Sequence, residues 1–247
     1  MSARVALVTG GTGAIGSEIC RAIAAAGCRV AALGHPSEAA RMPQWQADLK
    51  ARGCAVDVEL CDLADFAAAG RAIAAVEARL GPIEILVNAA GITRDARLTK
   101  MSVDQWRQVI ATNLDSVFNA TRPVFEGMCA RGFGRIVNIS SVNGQKGQFG
   151  QANYSAAKAG MHGFTMAAAQ EGAARGVTVN TVSPGYIETP MTAAIKPDAL
   201  QKIVASVPAG RMGTPADIAR AVAFLCADEA GYITGANLAV NGGLYMS

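Results

Sequence analysis

The sequence predicts an α/β fold in which one doubly wound parallel sheet of about seven strands is covered by helices on both faces. Short β-branched runs alternate along the chain with longer alanine-rich segments. Runs such as residues 5–8 and 30–33 are continuously apolar, which is typical of strands buried on both faces. The length of 247 residues fits a single domain that spans residues 1–247.

The elements follow one another in strand–helix order. The predicted strands are residues 5–9, 29–33, 56–60, 83–88, 135–140, 177–182 and 233–240. The predicted helices have apolar residues at helical spacing, and they are residues 15–26, 64–80, 103–130, 151–174 and 216–227. Ligands of such sheets bind beyond the carboxyl ends of the strands, so the residues after each strand are the candidates for a binding site.

Composition excludes several classes of protein. Hydrophobic residues make up 51% of the chain and charged residues 17%, which excludes a disordered chain. The net charge is only +3 and the basic residues are scattered, so we expect no nucleic-acid partner. No apolar run reaches the roughly 18 residues of a membrane-spanning helix, and residues 1–10 lead into the fold instead of forming a signal peptide. We expect a cytoplasmic protein with a small-molecule partner and no membrane partner.

The cysteines and histidines do not indicate a metal centre. The six cysteines are dispersed without a C-x-x-C pair, and the chain has only two histidines. We therefore expect buried, reduced thiols and no metal site.

The first predicted strand leads directly into a glycine-rich turn and then a helix. Residues 9–16 are Thr-Gly-Gly-Thr-Gly-Ala-Ile-Gly. Glycines keep such a turn tight and let main-chain N–H groups approach a pyrophosphate at the positive end of the helix. The turn therefore predicts a Rossmann-like dinucleotide-binding fold, with the cofactor bound by Gly10, Thr12, Gly13, Ala14, Ile15 and Gly16.

The end of the second strand bears on which dinucleotide binds. An acidic residue there would bind a ribose 2'-hydroxyl and repel a 2'-phosphate, but this chain has Gly34 and His35. Arg41, helped by His35 or Ser37, could pair with that phosphate, so the sequence favours NADP(H). NAD(H) stays open because Glu38 lies in the same loop and could bind the ribose hydroxyl instead. Arg41 would then be simply a solvated residue.

Further cofactor contacts are predicted after the third and fourth strands. Asp62 and Leu63 follow the third strand, and residues 88–91 follow the fourth, where the adenine and ribose would lie. The residues of the second group are Asn88, Ala89, Ala90 and Gly91. Asp62 could instead be the N-cap of the helix that begins near Ala64.

The strongest chemical signal is a tyrosine and a lysine four residues apart, Tyr154 and Lys158, which places both on one face of a helix. A phenol has an ordinary pKa of about 10, and a nearby ammonium together with a nicotinamide ring would lower it into the range of proton transfer. Ser141 could donate a hydrogen bond to the same substrate oxygen, and Asn113 could bind a water near the lysine. Each of these residues also has an ordinary structural interpretation. Tyr154 and Lys158 could be a chance pair, Ser141 could cap a turn, and Asn113 could hydrogen-bond to a neighbouring main chain.

With these motifs the chain resembles the short-chain dehydrogenase/reductase family over its whole length. The resemblance lies in residues 9–16, 88–91, 113, 141, 154, 158 and 184–185, while Ala14 and Ala89 depart from the usual glycine and asparagine. It implies an NAD(P)-dependent oxidoreductase, usually a homotetramer, with the tetrad Asn113, Ser141, Tyr154 and Lys158. It also implies nicotinamide contacts by Pro184, Gly185 and Ile187, and a mobile lid at residues 188–208.

Residues 140–154, 91–95 and 241–246 resemble the branch of the family that reduces acetoacetyl-CoA, an acyl-CoA, to (R)-3-hydroxybutyryl-CoA for polyhydroxybutyrate. This implies NADPH-dependent hydride transfer to C3, with proton donation by Tyr154. The implied substrate pocket consists of Asp95, Ser141, Gln148, Phe149, Gln151, Gly185 and Tyr186. Neutral amides suit thioester and pantetheine oxygens, and aromatic walls suit a short acyl chain. Residues 144–150 could instead be only an exposed glycine-rich loop.

Three other functions share parts of this pattern. A 3-oxoacyl-[acyl-carrier-protein] reductase shares the fold, tetrad and reaction, and Arg131 with Arg175 could form a basic patch for its acidic carrier. A non-catalytic dinucleotide-binding regulator would not need an intact Tyr154–Lys158 pair. An enzyme acting on secondary alcohols or steroids would have a more apolar loop than residues 145–151.

Overall fold

Seven parallel strands form one sheet in the computed structural model, which describes residues 3–193 and 197–246. The strands are β1 (Val5–Thr9), β2 (Arg29–Gly34), β3 (Val56–Leu60), β4 (Ile83–Asn88), β5 (Gly134–Ile139), β6 (Val177–Pro184) and β7 (Asn237–Val240). Their order across the sheet is β3-β2-β1-β4-β5-β6-β7. The order reverses between β1 and β4, and the crevice beyond their carboxyl ends is where such folds bind ligands. The predicted fold class is confirmed.

The helices come mostly between the strands. They are α1 (Ala14–Ala25), α2 (Met42–Ala51), α3 (Phe66–Leu80), α4 (Val103–Ile110), α5 (Ser116–Arg131), α6 (Val142–Lys146), α7 (Ala152–Gly172), α8 (Pro190–Ala193), α9 (Pro197–Ser206) and α10 (Pro215–Cys226). A π-helical turn, Ala111–Asp115, joins α4 to α5, and a 3-10 turn, Pro36–Arg41, precedes α2. None of the helices in the described part of the chain is long and apolar enough to cross a membrane.

Alternate residues of strand β1 face two separate hydrophobic cores. Ala6 and Val8 pack with α1 and α10 on one face, where Ile23 and Val222 are almost fully buried. Leu7 faces the other core, formed with α3, α5 and α7. Burying one such leucine or isoleucine stabilises the fold by about 1.5–3 kcal/mol. Because both faces are covered, the strands read as continuous apolar runs in the sequence.

The structure corrects several predicted boundaries. The last strand begins at Asn237 instead of residue 233, because the side chain of Asn180 holds the preceding segment by donating to the Ile233 carbonyl and accepting from the Ala236 N–H. The predicted helix at 103–130 is divided by the π-helical turn. The lid predicted at residues 188–208 contains α8 and α9, while its residues 194–196 lie outside the described residues. All six cysteines are free thiols, four of them buried.

Candidate functional site

A cavity of about 630 Å³ lies beyond the carboxyl ends of β1, β2 and β4. Of the predicted cofactor residues, the cavity is lined by Gly10, Thr12, Gly13, Gly34, His35, Asp62, Leu63, Ala89, Ala90 and Gly91. Ala14, Ile15 and Gly16 form the first turn of α1, whose N-terminal N–H groups are suited to a pyrophosphate. The volume and the lining fit one end of a dinucleotide.

The glycines of this turn are required by close backbone approach. Gly10 has φ +61°, and a Cβ there would lie 2.7 Å from the Cα of Ala90. A Cβ on Gly16 would lie only 2.2 Å from the Gly10 carbonyl oxygen. The Thr9 hydroxyl accepts hydrogen bonds from the N–H groups of Ala89 and Ala90, which ties the β1 and β4 loops together. The cavity floor is therefore main chain, as a bound phosphate requires.

The structure places at the end of β2 the carboxylate of Glu38, which the sequence analysis kept as the alternative in favour of NAD(H). His35 and Glu38 form a capping box that folds the Glu38 side chain back to the strand end. Its Oε2 accepts from the Thr12 hydroxyl at 2.6 Å, and a Cβ on Gly34 would lie 3.0 Å from it. The Glu38 carboxylate thus lines the cavity, whereas Arg41 is not among the lining residues and is paired with Glu38 and the Thr12 carbonyl.

Glu38 is an anion at neutral pH. Burial raises its pKa, but hydrogen bonds from Thr12, Arg41 and the His35 N–H outweigh burial, so the pKa lies below the ordinary value. His35 and Ser37 are bonded to each other, with Nδ1 and Oγ 2.7 Å apart. The carboxylate that the NAD(H) alternative requires therefore lies at this strand end, and the use of NADP(H) stays a prediction.

The end of β3 settles one alternative. The N-cap of α3 is Asp65, whose carboxylate accepts from the N–H groups of Ala67 and Ala68. The Asp62 side chain accepts from the Ala64 N–H and borders the cavity, while Asp65 is the N-cap, so the interpretation of Asp62 as the N-cap of this helix was wrong.

Asn88 points away from the cavity. Its Nδ2 donates to the Oδ1 of Asn138 at 2.8 Å and to the Thr121 hydroxyl, within a buried polar row that continues through Thr165. The row crosses from β4 to β5 and α7. Asn88 therefore braces the strands that bear the site, while its neighbours Ala89, Ala90 and Gly91 line the cavity.

The structure brings the Tyr154–Lys158 pair and Ser141 together. Both members of the pair lie on α7, with the Lys158 Nζ 5.6 Å from the centroid of the tyrosine ring. Ser141 is the N-cap of α6, accepting from the Asn143 N–H at 3.1 Å, and its hydroxyl lies close enough to Tyr154 to lower the pKa of the phenol. Ser141 is thus both a turn cap and a partner of the tyrosine. The Lys158 Nζ donates to the Ile139 carbonyl at 2.8 Å.

Titration of this pair differs from the expectation of a lowered tyrosine pKa. Burial raises the pKa of the Tyr154 phenol, and the charge of Asp95 raises it further, while the hydrogen bond with Ser141 lowers it. Burial also lowers the pKa of Lys158 from 10.5 to about 7, because no carboxylate compensates its desolvation. The protein's own groups therefore do not produce the predicted phenolate.

Asn113 lies in the π-helical turn and is fully buried. Its Oδ1 accepts from the Ile92 N–H at 2.8 Å and its Nδ2 donates to the Ile92 carbonyl at 2.9 Å. A Cβ on Gly91 would lie 3.4 Å from both Asn113 Oδ1 and Lys158 Nζ. Asn113 thus makes the main-chain bond considered as its alternative, and it is also a neighbour of the lysine.

The predicted substrate residues form two groups. Gln151 donates to Asp95 Oδ2 at 2.9 Å and accepts from Asn143 Nδ2 at 2.9 Å, which makes an amide chain beside Ser141. Gln148 and Phe149 lie exposed on the same loop. The loop is therefore held by hydrogen bonds at Gln151 and is open to solvent at Gln148 and Phe149.

The second group follows β6. Gly185 lies against Asn241, and Ile187 pairs with Gly213 in an isolated bridge. Tyr186 borders a separate cavity of about 200 Å³ together with Arg211.

Arg131 and Arg175 lie at the wrong end of the sheet for a docking patch beside this site. Arg131 ends α5 and donates to the carbonyl of Ile83, the first residue of β4. Arg175 lies directly before β6 begins at Val177. Both are therefore at the amino ends of the strands, opposite the cavity.

A family model described as enoyl-(acyl carrier protein) reductase matches residues 11–245. The chain belongs to the short-chain dehydrogenase/reductase family. Membership of this family makes it an NAD(P)-dependent oxidoreductase, and the cavity, floored by main chain, fits the nicotinamide dinucleotide that such enzymes use.

This short-chain dehydrogenase/reductase aligns with similar proteins over almost its whole length. It is 58% identical to an acetoacetyl-CoA reductase of Allochromatium vinosum over 99% of both chains. It is 52% identical to an acetoacetyl-CoA reductase of Cupriavidus necator over the whole of both chains. Identity falls to 44%, over 98% of both chains, for a 3-oxoacyl-[acyl-carrier-protein] reductase of Escherichia coli.

Sequence reasoning overlooked two residues of this reductase that the structure places beside the tetrad. Asn143 joins Ser141 to Gln151, and His162 bonds to Ser140. His162 lies four residues beyond Lys158, so the same helical spacing that paired the tyrosine and lysine could have found it.

Proposed function

We propose that this chain catalyses the reduction of acetoacetyl-CoA to (R)-3-hydroxybutyryl-CoA for polyhydroxybutyrate synthesis in the cytoplasm. The observation that carries the proposal is the near-complete alignment with two acetoacetyl-CoA reductases at 58% and 52% identity, against 44% for the carrier-protein enzyme. Within one chain Arg131 and Arg175 lie away from the cavity, so they do not by themselves favour an acidic carrier protein.

The proton step is assigned to Tyr154, with the Ser141 hydroxyl beside it. The nicotinamide ring, when bound, supplies the hydride that reaches C3 of the substrate. Tyr154 donates its proton to the oxygen that develops charge, and Ser141 donates a hydrogen bond to the same oxygen. A raised tyrosine pKa suits this direction, because the phenol stays protonated until the substrate oxygen becomes more basic.

Lys158 and Asn113 are assigned to the ribose side of the tetrad. The Lys158 Nζ donates to the Ile139 carbonyl at 2.8 Å and lies 3.9 Å from the weak acceptor Met161 Sδ, and as an ammonium it can still donate to a ribose hydroxyl. Hydroxyl acceptors would favour the ammonium form over the neutral amine that burial favours. The Asn113 side chain holds the β4 loop at Ile92 next to this lysine.

The substrate is assigned to the loop of Gln148, Phe149 and Gln151. The chain Asp95–Gln151–Asn143 fixes the orientation of both amides, because the Asp95 carboxylate can only accept. Phe149 is 79% exposed, and the Arg97 guanidinium lies 5.6 Å from its ring centroid. An exposed ring beside a cation offers an apolar wall and a positive charge to an incoming acyl-CoA. Tyr186 and Gly185 are assigned to its other side.

For the cofactor, the position of Glu38 favours NADH over the NADPH that the sequence predicted. A carboxylate beside Gly34 accepts from a ribose 2'-hydroxyl and repels a 2'-phosphate. Arg41 is engaged by Glu38 itself, so its charge is already neutralised. NADP(H) use would require this ion pair to open.

We further propose the homotetramer that is usual in the family. Phe66 and Phe118, on α3 and α5, are each about half exposed and stack with ring centroids 5.8 Å apart. They border a hollow of about 510 Å³ with Leu114 and Phe164. Exposed apolar patches of this kind mark interfaces between proteins. Sedimentation of the purified chain would measure its assembly.

Tyr154→Phe tests the assigned proton step. We expect turnover of acetoacetyl-CoA to fall at least 1000-fold, on the order of the loss of a general acid, while nicotinamide binding changes little. The measurements are initial rates and cofactor fluorescence titrations on both proteins. A Phe variant that keeps a substantial share of the activity would contradict the assignment.

Comparing acetoacetyl-CoA with its carrier-protein thioester in the same assay separates the two candidate substrates. We expect the CoA ester to be preferred in kcat/KM. Preference for the carrier-protein ester would assign the chain to fatty-acid reduction, and failure to oxidise cofactor with either ester would revive the non-catalytic regulator.

A further inference from the structure

His162 connects three elements beneath the tetrad. It lies on α7 one turn beyond Lys158, and its Nε2 is 2.9 Å from the Ser140 hydroxyl oxygen. The Ser183 hydroxyl oxygen is 3.5 Å from the same nitrogen. Ser140 follows β5 and Ser183 belongs to β6, so one side chain spans the ends of two strands from the helix above them.

The hydroxyl protons define the state of the imidazole. Ser140 donates its proton to the Lys158 carbonyl at 2.8 Å, and Ser183 donates its proton to Asn237 Oδ1 at 2.7 Å. Both hydroxyls therefore present lone pairs to His162, and Nε2 must carry the hydrogen. Burial lowers the pKa of His162, which keeps the ring neutral at neutral pH. The neutral Nε2–H form satisfies both oxygens.

Each contact lies next to a residue of the assigned machinery. Ser140 precedes Ser141 in the chain, and Ser183 precedes Pro184, the first of the residues that the family resemblance places against the nicotinamide. The Ser140 N–H also donates to the Val182 carbonyl at 2.8 Å, which fixes the two strand ends to each other. Tyr154 and Lys158 are on the same helix as His162.

We propose that His162 is a positioning residue that sets the geometry of Ser141, the Tyr154–Lys158 pair and the Pro184 segment relative to one another. The inference rests on the proposed reduction. His162 acts through Ser140 and Ser183 and touches neither substrate nor cofactor. Reacting groups misplaced by about 1 Å can lose 100-fold in rate, so loss of this connection affects hydride transfer more than binding.

His162→Leu and His162→Gln test the connection, because a glutamine amide keeps an N–H near the position of Nε2 whereas leucine has none. We expect His162→Leu to lower kcat about 10- to 100-fold, with KM for acetoacetyl-CoA and for cofactor changing less than about threefold. Hydride transfer then limits the rate, so the primary isotope effect with cofactor dideuterated at C4 should rise. His162→Gln should restore most of kcat and the original isotope effect.

Asn180→Ala is the matched control for lost stability. Asn180 is buried in β6 and makes two bonds to residues 233–236, away from the tetrad. It should lower Tm without changing the isotope effect. If His162→Leu does not fold, Ser140→Ala removes a single oxygen from the same connection and should raise the isotope effect in the same way.

Two outcomes would overturn the proposal. One is an unchanged kcat and isotope effect in His162→Leu, and the other is a loss that glutamine does not restore. Failure of the proposed function would look different, since the unaltered enzyme itself would not oxidise cofactor with acetoacetyl-CoA.

Discussion

Replacing Lys158 by methionine should change how stability depends on pH in the absence of cofactor. Burial lowers the pKa of Lys158 from 10.5 to about 7, so between these values the unfolded chain binds a proton that the folded chain does not. Stability contributed by this site therefore rises with pH across that window. Methionine has nearly the same length and no charge, so the variant lacks the dependence.

The magnitude follows from the shift at 1.36 kcal/mol per pKa unit. At pH 7 the desolvated lysine costs the folded state about 4 kcal/mol, and at pH 8.5 about 2–3 kcal/mol, because removing the proton that the unfolded lysine binds costs less free energy as the pH rises. We expect Lys158→Met to be the more stable protein at pH 7, and its advantage to shrink by about 1.5–2 kcal/mol by pH 8.5.

Urea unfolding of both proteins at pH 7.0, 7.5, 8.0 and 8.5 measures the difference. Other groups titrate equally in the two proteins and cancel. The exposed Lys50, changed to methionine in the same way, is the control for the loss of one positive charge. A gap between Lys158→Met and the unaltered protein that stays constant with pH would refute the reasoning that the buried lysine is neutral.

Two further predictions concern the cofactor. Glu38→Gln removes the carboxylate from the end of β2 and frees Arg41 for a phosphate. The ratio of kcat/KM with NADPH to kcat/KM with NADH should therefore rise about tenfold or more. An unchanged ratio in paired initial-rate assays would show that Glu38 does not contact the ribose. Gly16→Ala places a Cβ 2.2 Å from the Gly10 carbonyl oxygen and should weaken cofactor binding at least about tenfold in fluorescence titration. Gly70→Ala, in α3 with open space around it, is the control and should leave binding intact, whereas equal effects of both changes would contradict the close-packing argument.

Much of the fold could be predicted because its strands are buried on both faces. The runs that became β1 and β4 have the predicted bounds, since apolar residues bounded by polar or glycine residues leave little choice of strand ends. Helix α2 was not predicted, because it is largely exposed and has few apolar residues at helical spacing.

The site was predictable where spacing along one element decides proximity. Tyr154 and Lys158 are four residues apart on α7, and the turn at Gly10 follows directly from β1. Contacts that depend on loop conformation were not predictable. Glu38 reaches the end of β2 only because its capping box with His35 reverses the chain, and no periodicity reports that. The pKa of Lys158 depends on burial from several elements, which the sequence does not display.

The π-helical turn that bears Asn113 makes this segment sensitive to chain length as well as to residue type. Each residue of an α-helix advances about 100° around its axis, so a widened turn offsets the face of α4 from that of α5. Deleting one residue from Ala111–Asp115 would regularise the helix and improve its hydrogen bonding. It would also rotate one half against the other and withdraw the Asn113 amide from Ile92. An evolving or engineered chain could thus gain helical regularity here only by giving up the alignment of its active site.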